Sequence, residues 1–286
     1  VMSITVENNG FELELNLNNI NKTKFQWQTS INFSRVKNKL IEFSGEDRLL
    51  SYGERNEVYL AQVGQPYIQF FGYKQIGVWN TQEEIDSNAS NSLDRPGGLR
   101  LLDANEDGVI DDEDRVVLGN PFPDFTWGIT NSFNIGNFDL SILIQGVQGI
   151  DVFNGDGHYN EVKRGNRDYV ENRWISPEHP GDGMTPYSTN GMGWQFTDFM
   201  IEDGSYVSVR DIVLGYTLPQ SLTEKIKLNN VRIYGSAQNA LYFFSKDYRG
   251  INPEARSTSG AYESPLVTGY QRGAFPVPRA FVLGVD

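Results

Sequence analysis

The sequence predicts an all-β protein, specifically the C-terminal portion of a transmembrane antiparallel β-barrel with long extracellular loops. Three observations predict this class: apolar and polar residues alternate with period two along the chain, several alternating runs reach about ten residues, and short connections alternate with long ones. No run approaches the roughly 20 continuous apolar residues that a membrane-spanning helix requires. The mean hydropathy of −0.45 fits a barrel, because only alternate side chains of each strand face lipid.

The alternation predicts seven spanning strands within a single barrel domain that covers residues 1–286. They lie near residues 3–18, 24–37, 124–136, 137–149, 204–218, 229–244 and 278–286. Aromatic residues such as Phe25, Trp127 and Phe138 fall at strand ends, where a barrel places its interfacial girdle. The alternation changes phase near Arg210 and Asp211, which indicates a β-bulge.

Connections of two kinds follow one another along the chain. Tight turns join some strands, whereas the predicted extracellular loops cover residues 38–123, 150–203 and 245–277. Outer-membrane barrels have this asymmetry, with short turns on the periplasmic side and long loops outside. A half-exposed soluble sheet gives the same alternation of residues but has no reason to sort its connections in this way. Seven strands cannot close a single-chain bacterial barrel, so we expect both ends of the sequence to be cut.

Composition and charge exclude several classes of function. The 286 residues carry a net charge of −13 and contain no cysteine. A nucleic acid is therefore not expected as a partner, because binding the phosphate backbone requires a basic surface. Thiolate metal sites, disulfides and cysteine nucleophiles are excluded outright.

The segment from Asp103 to Asp114 has the spacing of a calcium-binding loop. Oxygen ligands stand at positions 1, 3, 5, 7, 9 and 12 of the loop, with the seventh supplied by a backbone carbonyl: Asp103, Asn105, Asp107, Val109, Asp111 and Asp114. Gly108 occupies the sixth position, where the turn is sharp. The spacing predicts a bound Ca²⁺ or Mg²⁺ that stiffens the loop. The alternative is an acidic turn whose carboxylates cap neighbouring amides.

No constellation of catalytic residues is evident, and we expect no enzyme. The chain has only two histidines, outside any ligand spacing, and the adjacent carboxylates Glu202–Asp203 and Glu113–Asp114 are expected to be surface charges. Aromatic residues of the long loops are candidates for stacking on sugar rings or contacting a partner protein: Trp79, Tyr159, Trp174, Trp194 and Tyr248. The alternative is that these side chains form small cores within the loops.

Several motifs, in order along the chain, carry a resemblance to a known family. They include Val63–Gly64–Gln65–Pro66, the run from Gly119 through Phe125–Thr126–Trp127–Gly128, Asp203–Gly204–Ser205–Tyr206–Val207, and Gln238–Asn239–Ala240–Leu241. With these motifs the chain resembles the SusC/RagA family of TonB-dependent outer-membrane transporters over essentially its whole length.

The resemblance implies a segment of the 22-stranded barrels of Bacteroidetes, located in the cell outer membrane. Such importers take up oligosaccharides or peptides with a SusD-like surface lipoprotein, and an N-terminal plug region, missing here, links them to TonB–ExbB–ExbD. Outer-membrane lipid would cover the barrel. Two other readings of the residues remain open: a soluble secreted calcium-binding adhesin or lectin, and an extracellular glycosidase, which would need two facing carboxylates.

Overall fold

The computed structural model describes residues 4–43, 47–54, 57–155, 167–187, 195–257 and 259–286. The strands are β1 (Ile4–Lys22), β2 (Phe25–Phe43), β3 (Arg48–Tyr52), β4 (Val58–Gln62), β5 (Gln69–Gly72), β6 (Gln75–Val78), β7 (Leu99–Leu101), β8 (Val116–Gly119), β9 (Phe125–Ile135), β10 (Phe138–Gln148), β11 (Asp151–Asn154), β12 (Ile201–Asp203), β13 (Tyr206–Thr217), β14 (Arg232–Phe244), β15 (Tyr270–Gln271) and β16 (Ala280–Val285).

Helices are short and lie between the strands. They are α1 (Gln82–Asp86), α2 (Arg167–Asn172) and α3 (Gln220–Thr223), with 3-10 turns at Asp112–Asp114, Asp198–Met200, Glu224–Ile226 and Gly260–Glu263. In the described part of the chain, no helix has the length and apolar character needed to cross a membrane.

A seven-stranded sheet forms the body of the molecule, in the order β1-β2-β9-β10-β13-β14-β16, and every neighbouring pair is antiparallel. Each predicted spanning segment overlaps one of these strands, and the last five segments contain theirs completely. The first two strands have 19 residues each and run well past their predicted ends at 18 and 37. Asparagine-rich sequence such as Asn16–Asn21 suggests a turn, but cross-strand pairing continues through it to the turn at Thr23 and Lys24.

The register gives the sheet an apolar face and a polar face. One row of opposed residues crosses six strands on the apolar face: Leu15, Ile31, Ile129, Ile144, Val209 and Leu241. Aromatic pairs lie on the same face toward the short turns, with Trp27 stacked on Phe133 and Phe138 against Tyr216. Glu12, Ser34 and Thr126 follow one another across the polar face. This alternation follows directly from the period of a strand.

The predicted bulge near Arg210 is confirmed. The register of β13 shifts between Val209 and Asp211, which leaves Arg210 without a partner across the ladder. Asn239 lies at the same place in β14 and has a positive φ of 51°. The extra residue bends the strand locally, and it also frees the Arg210 side chain for contacts other than those of a regular strand position.

Long connections meet at one end of the sheet and contain strands of their own. Residues 44–124, 149–205 and 245–279, here called the loop bundle, include the sheet β3-β4-β5-β8, the hairpin β6-β7 and the sheet β12-β11-β15. The largest of its hydrophobic clusters joins the three connections to the end of β2: Leu40, Phe43, Tyr59, Ala61, Ile68, Phe70, Phe153, Phe196, Met200, Tyr262, Val267 and Tyr270. The bundle is therefore a packed unit and not a set of independent loops.

Candidate functional site

A charged cluster stands on the polar face around Arg210. The guanidinium Nη2 lies 2.6 Å from Glu254 Oε1, and Nη1 donates to Asn239 Oδ1 at 3.0 Å and to the Tyr242 hydroxyl. With its amide oxygen turned toward the arginine, Gln145 accepts from Nη2 at 2.6 Å and from Nε at 2.8 Å. Four partners thus hold one cation, and Glu254 brings the last long connection down onto the sheet.

A second ion pair on the polar face lies near the short turns. Arg232 of β14 donates through Nε and Nη2 to the two carboxylate oxygens of Asp139 in β10, at 3.0 and 2.6 Å. The pair reaches across β13 at Gly215, where an added Cβ would stand 2.4 Å from Asp139 Oδ1. Only glycine leaves this space, so Gly215 permits a bidentate pair that links strands that are not neighbours.

Within the loop bundle, Glu202 is a buried carboxylate that accepts hydrogen bonds from Asn154 and Arg249. Asn154 Nδ2 donates to both carboxylate oxygens at 3.0 Å, and Arg249 donates through its backbone N–H at 2.9 Å and through Nε at 2.8 Å. The residue is 4% exposed. The expectation that Glu202–Asp203 are both surface charges is wrong for Glu202, because strand alternation turns one carboxylate inward while Asp203 stays exposed.

A tyrosine–carboxylate contact joins the first long connection to the last. The Tyr262 hydroxyl donates to Glu57 Oε1 at 3.0 Å, and its ring stacks on Tyr270 at a centroid distance of 4.1 Å. Burial and the neighbouring Glu57 carboxylate raise the pKa of Tyr262, so the hydroxyl keeps its proton and remains a donor. Two of the three connections are thus fixed to each other by a buried polar contact.

A cavity of about 460 Å³ opens on the polar face at the rim beside the loop bundle. We call it the rim cavity; β1, β2 and β9 form its floor, and its walls include Val6, Asn8, Val36, Asn38, Tyr67 and Phe122. Asn38 Oδ1 accepts the backbone N–H of Tyr67 at 2.7 Å, which holds that side of the cavity against β2. Nothing in the sequence signalled this cavity, because its walls come from segments that are distant in the chain.

The predicted cation loop is a compact acidic turn in the structure. Its carboxylates accept backbone amides: Asp103 from Asp107 and Gly108, and Asp114 from Ala104 and Asp111. Asp114 is fully buried, so the expectation that Glu113–Asp114 are both surface charges is wrong for Asp114.

These contacts are the amide capping that the sequence left open as the alternative to a cation. Asn105, Asp107 and Asp111 also accept amides within the turn, while Val109 is exposed. Among the described residues, no group of three His, Cys, Asp or Glu side chains stands ready to hold a metal ion. The cation site stays a prediction.

The candidate aromatic residues divide into two groups. Trp79 is 1% exposed and carries Arg100 over its ring, and Tyr248 is buried with its hydroxyl donating to Gln271 Oε1. These two follow the alternative that the sequence left open, because the long connections bury their large side chains against one another. Trp174 is half-buried, covers Gly97, and donates from Nε1 to Asn80 Oδ1. Tyr159 and Trp194 lie outside the described residues, and a binding role for any of the five stays a prediction.

Comparisons with curated proteins find relatives over nearly the whole chain. It is 30% identical over 300 residues to TonB-dependent receptor P26 of Formosa agariphila, covering 99% of this chain and 29% of that protein. It is 32% identical to TonB-dependent receptor P3 of the same organism, covering 98% and 28%. TonB-dependent receptor SusC of Bacteroides thetaiotaomicron is 24% identical, with 99% and 26% covered. No protein-family model matches the chain.

Solved structures share the fold. The RagAB peptide importer in its open-open state matches with a TM-score of 0.74 and 16% identity, covering 99% of this chain and 28% of that chain. A structure of the RagAB peptide transporter matches with 0.74 and 18%, covering 99% and 29%. The seven-stranded sheet is therefore part of an antiparallel β-barrel, as the sequence predicted. The chain spans about three tenths of the length of these proteins.

Proposed function

This chain belongs to the SusC/RagA-like TonB-dependent receptors, and we propose that it forms one part of an outer-membrane importer of oligosaccharides or peptides. The relatives are named as receptors and a peptide importer, not as enzymes. Because the chain covers only about three tenths of their length, import is proposed for the whole protein and not for this segment alone.

The two-faced sheet with all its long connections at one end carries the proposal. A continuous apolar face suits lipid, while the polar face with Arg210, Asp139 and Arg232 suits a water-filled lumen. In this arrangement the loop bundle stands above the lumen on the outside of the cell and the short turns face the periplasm. A soluble sheet would not display the row from Leu15 to Leu241 to water.

We propose a SusD-like lipoprotein as the partner at the loop bundle, and TonB–ExbB–ExbD as the energy source through a plug region elsewhere in the protein. Large apolar side chains that stay exposed on the bundle support a protein partner there, among them Ile175 at 60% and Phe275 at 85% exposure.

The acidic turn from Asp103 to Asp114 is proposed to bind Ca²⁺ or Mg²⁺ and to stiffen the loop bundle. Support comes from the ligand spacing in the sequence and from the positive φ of 87° at Gly108, which matches the sharp turn at the sixth position of such a loop.

The importer is tested by deleting the gene for the full-length receptor and measuring uptake of labelled oligosaccharides and peptides by whole cells. We expect uptake of at least one substrate to disappear and to return with the plasmid-borne gene. The restored receptor should fractionate with the outer membrane and co-purify in detergent with a lipoprotein. Recovery of the receptor in the soluble fraction would contradict the proposal.

A further inference from the structure

We propose that the rim cavity is a subsite for a neutral sugar ring of an imported oligosaccharide. This inference rests on the importer proposed above and assigns a substrate class to its lumen. The cavity, at about 460 Å³, falls within the range of roughly 300–1,000 Å³ in which proteins bind small molecules. It lies at the end of the sheet against which the loop bundle packs.

The walls of the cavity break the polar pattern of the face on which it lies. Val6 and Val36 point to the polar face, yet they are apolar and 36% and 41% exposed. Tyr67 and Phe122 stand over them from the loop bundle. Aliphatic and aromatic surfaces of this kind favour the C–H faces of a sugar ring, which are the apolar part of an otherwise polar molecule.

Polar groups of the cavity suit hydroxyl groups and not charges. Asn8 and Asn38 contribute amides that both donate and accept hydrogen bonds, and the remaining polar lining consists of the hydroxyls of Ser34 and Thr126. Among the residues that the structure describes, no charged side chain lines this cavity. A ligand with a carboxylate, sulfate or ammonium group would lose its hydration there without gaining a counter-charge, so the site selects against charged rings and charged peptide side chains.

A peptide main chain finds little to bind at this wall. Peptides are commonly captured by adding a strand to a free sheet edge. Here the floor is made of ladder positions that are already paired, with Asn8 opposite Asn38 and Ser34 opposite Thr126. On this floor the side chains remain to contact a ligand, which suits the hydroxyl groups of a sugar ring.

A neighbouring cavity of about 320 Å³ shares Val36, Asn38 and Phe122 with the rim cavity. The two cavities are therefore adjacent, and a second ring of the same chain would lie beside the first, where Lys37, Lys39 and Asp124 also line the wall. An oligosaccharide, and not a monosaccharide, is the ligand that would use both.

The test uses the full-length receptor with three uncharged probes, maltohexaose, laminarihexaose and cellohexaose, and an uncharged hexapeptide with capped ends. Val36→Arg fills the cavity with a charged side chain, and Tyr67→Ala removes one wall. Ser141→Arg is the matched control, because Ser141 also lies on the polar face but outside the cavity. Binding is measured by calorimetry in detergent, and uptake in the deletion strain, with receptor levels in the outer membrane checked for each variant.

We expect at least one hexasaccharide to bind, with affinity lowered about tenfold or more by V36R and Y67A and unchanged by S141R. If the receptor takes up a hexasaccharide and neither V36R nor Y67A reduces that uptake, the subsite proposal is wrong, whereas the importer proposal is supported. Uptake of the hexapeptide alone would overturn the assignment to sugars. If deleting the gene leaves the uptake of every tested substrate unchanged, the importer proposal is wrong, and this inference is wrong with it.

Discussion

Arg210 and Glu254 are 44 residues apart in the chain, yet Arg210 Nη2 lies 2.6 Å from Glu254 Oε1 at the junction between the barrel wall and the loop bundle. The arginine reaches this position because it sits in the bulge of β13, and the glutamate arrives on the last long connection. Arg210 is half-buried and Glu254 is exposed as a residue, so solvent screens this pair in part. It is one of the contacts that join the loop bundle to the polar face of the sheet.

Replacing Glu254 with alanine is expected to loosen the last long connection. Arg210 and the Tyr242 hydroxyl both lose an acceptor, and a hydrogen bond to a charged group contributes about 1.5 kcal/mol. Amide hydrogen exchange of residues 245–257 should quicken about tenfold, since 1.4 kcal/mol corresponds to a factor of ten. Asp247→Ala, at an exposed position of the same connection, is the control. Equal exchange in the two variants would show that the ion pair does not hold the loop.

Replacing Glu202 with alanine is expected to destabilise the loop bundle by about 3 kcal/mol, because Arg249 and Asn154 are left without their buried acceptor. Limited proteolysis of the full-length receptor should cut the bundle at a lower protease concentration, while the barrel strands stay protected. Glu263→Ala changes an exposed carboxylate in the same bundle and should leave the digestion pattern unchanged. A pattern for E202A like that of wild type would contradict the structural role.

Chelation is expected to increase protease cleavage between residues 103 and 114 of the wild-type receptor if the acidic turn holds a divalent cation. Asp107→Ala should be cleaved at the higher rate with or without EDTA, since it lacks a predicted ligand. Asp112→Ala removes a carboxylate at a position that is not a predicted ligand and should respond to EDTA as wild type does. Wild-type cleavage that is insensitive to EDTA and to added Ca²⁺ would remove the cation site.

Asp151→Asn is expected to raise the thermal midpoint of the bundle at pH 7 and to lose this advantage as the pH falls. Burial, opposed in part by the backbone N–H of Asn120 and reinforced by Asp203 and Asp124, raises the pKa of Asp151. A carboxyl with a raised folded-state pKa costs stability when ionised, and the cost disappears once the folded protein takes up the proton. Asparagine keeps an acceptor for Asn120 without the charge.

The neighbouring Asp203 supplies a control of opposite sign. Burial raises its pKa, but hydrogen bonds from Ser205 and Ser245 together outweigh that effect, and the net result is a lowered pKa. Asp203→Asn should therefore be less stable than wild type at pH 7, and the difference should shrink as the pH falls through the folded-state pKa of Asp203. Parallel pH profiles for the two variants would contradict both assignments.

The barrel sheet could be predicted from the sequence because its order is local. In a strand with one face in lipid and the other in water, apolar residues alternate with polar ones. Phe11, Leu13, Leu15 and Leu17 show this alternation in β1. The bulge at Arg210 appeared in the same way, as a break in that period. The predicted positions of the strand ends were less accurate, because the pairing of β1 with β2 continues through asparagines, which favour turns elsewhere.

The loop bundle could not be predicted in the same way, because its order comes from contacts between distant segments. Trp79 and Tyr248 carry no periodic pattern around them, and their burial depends on chain that lies far away. Glu202 has the sequence context of a surface charge, and only the arrival of Arg249 and Asn154 makes its burial favourable. The rim cavity also joins β1, β2 and β9 to Tyr67 and Phe122, so no window of sequence contains it.

The unequal heights of neighbouring strands have a consequence for assembly. Pairing of β2 with β9 ends at Ser34, whereas its pairing with β1 continues to Phe43, so the β1-β2 hairpin rises about 30 Å above β9. Leu40 and Phe43, on this projecting part, belong to the core of the loop bundle. The bundle core therefore depends on residues that belong to the sheet, and a bundle produced without that hairpin would lack part of its own interior.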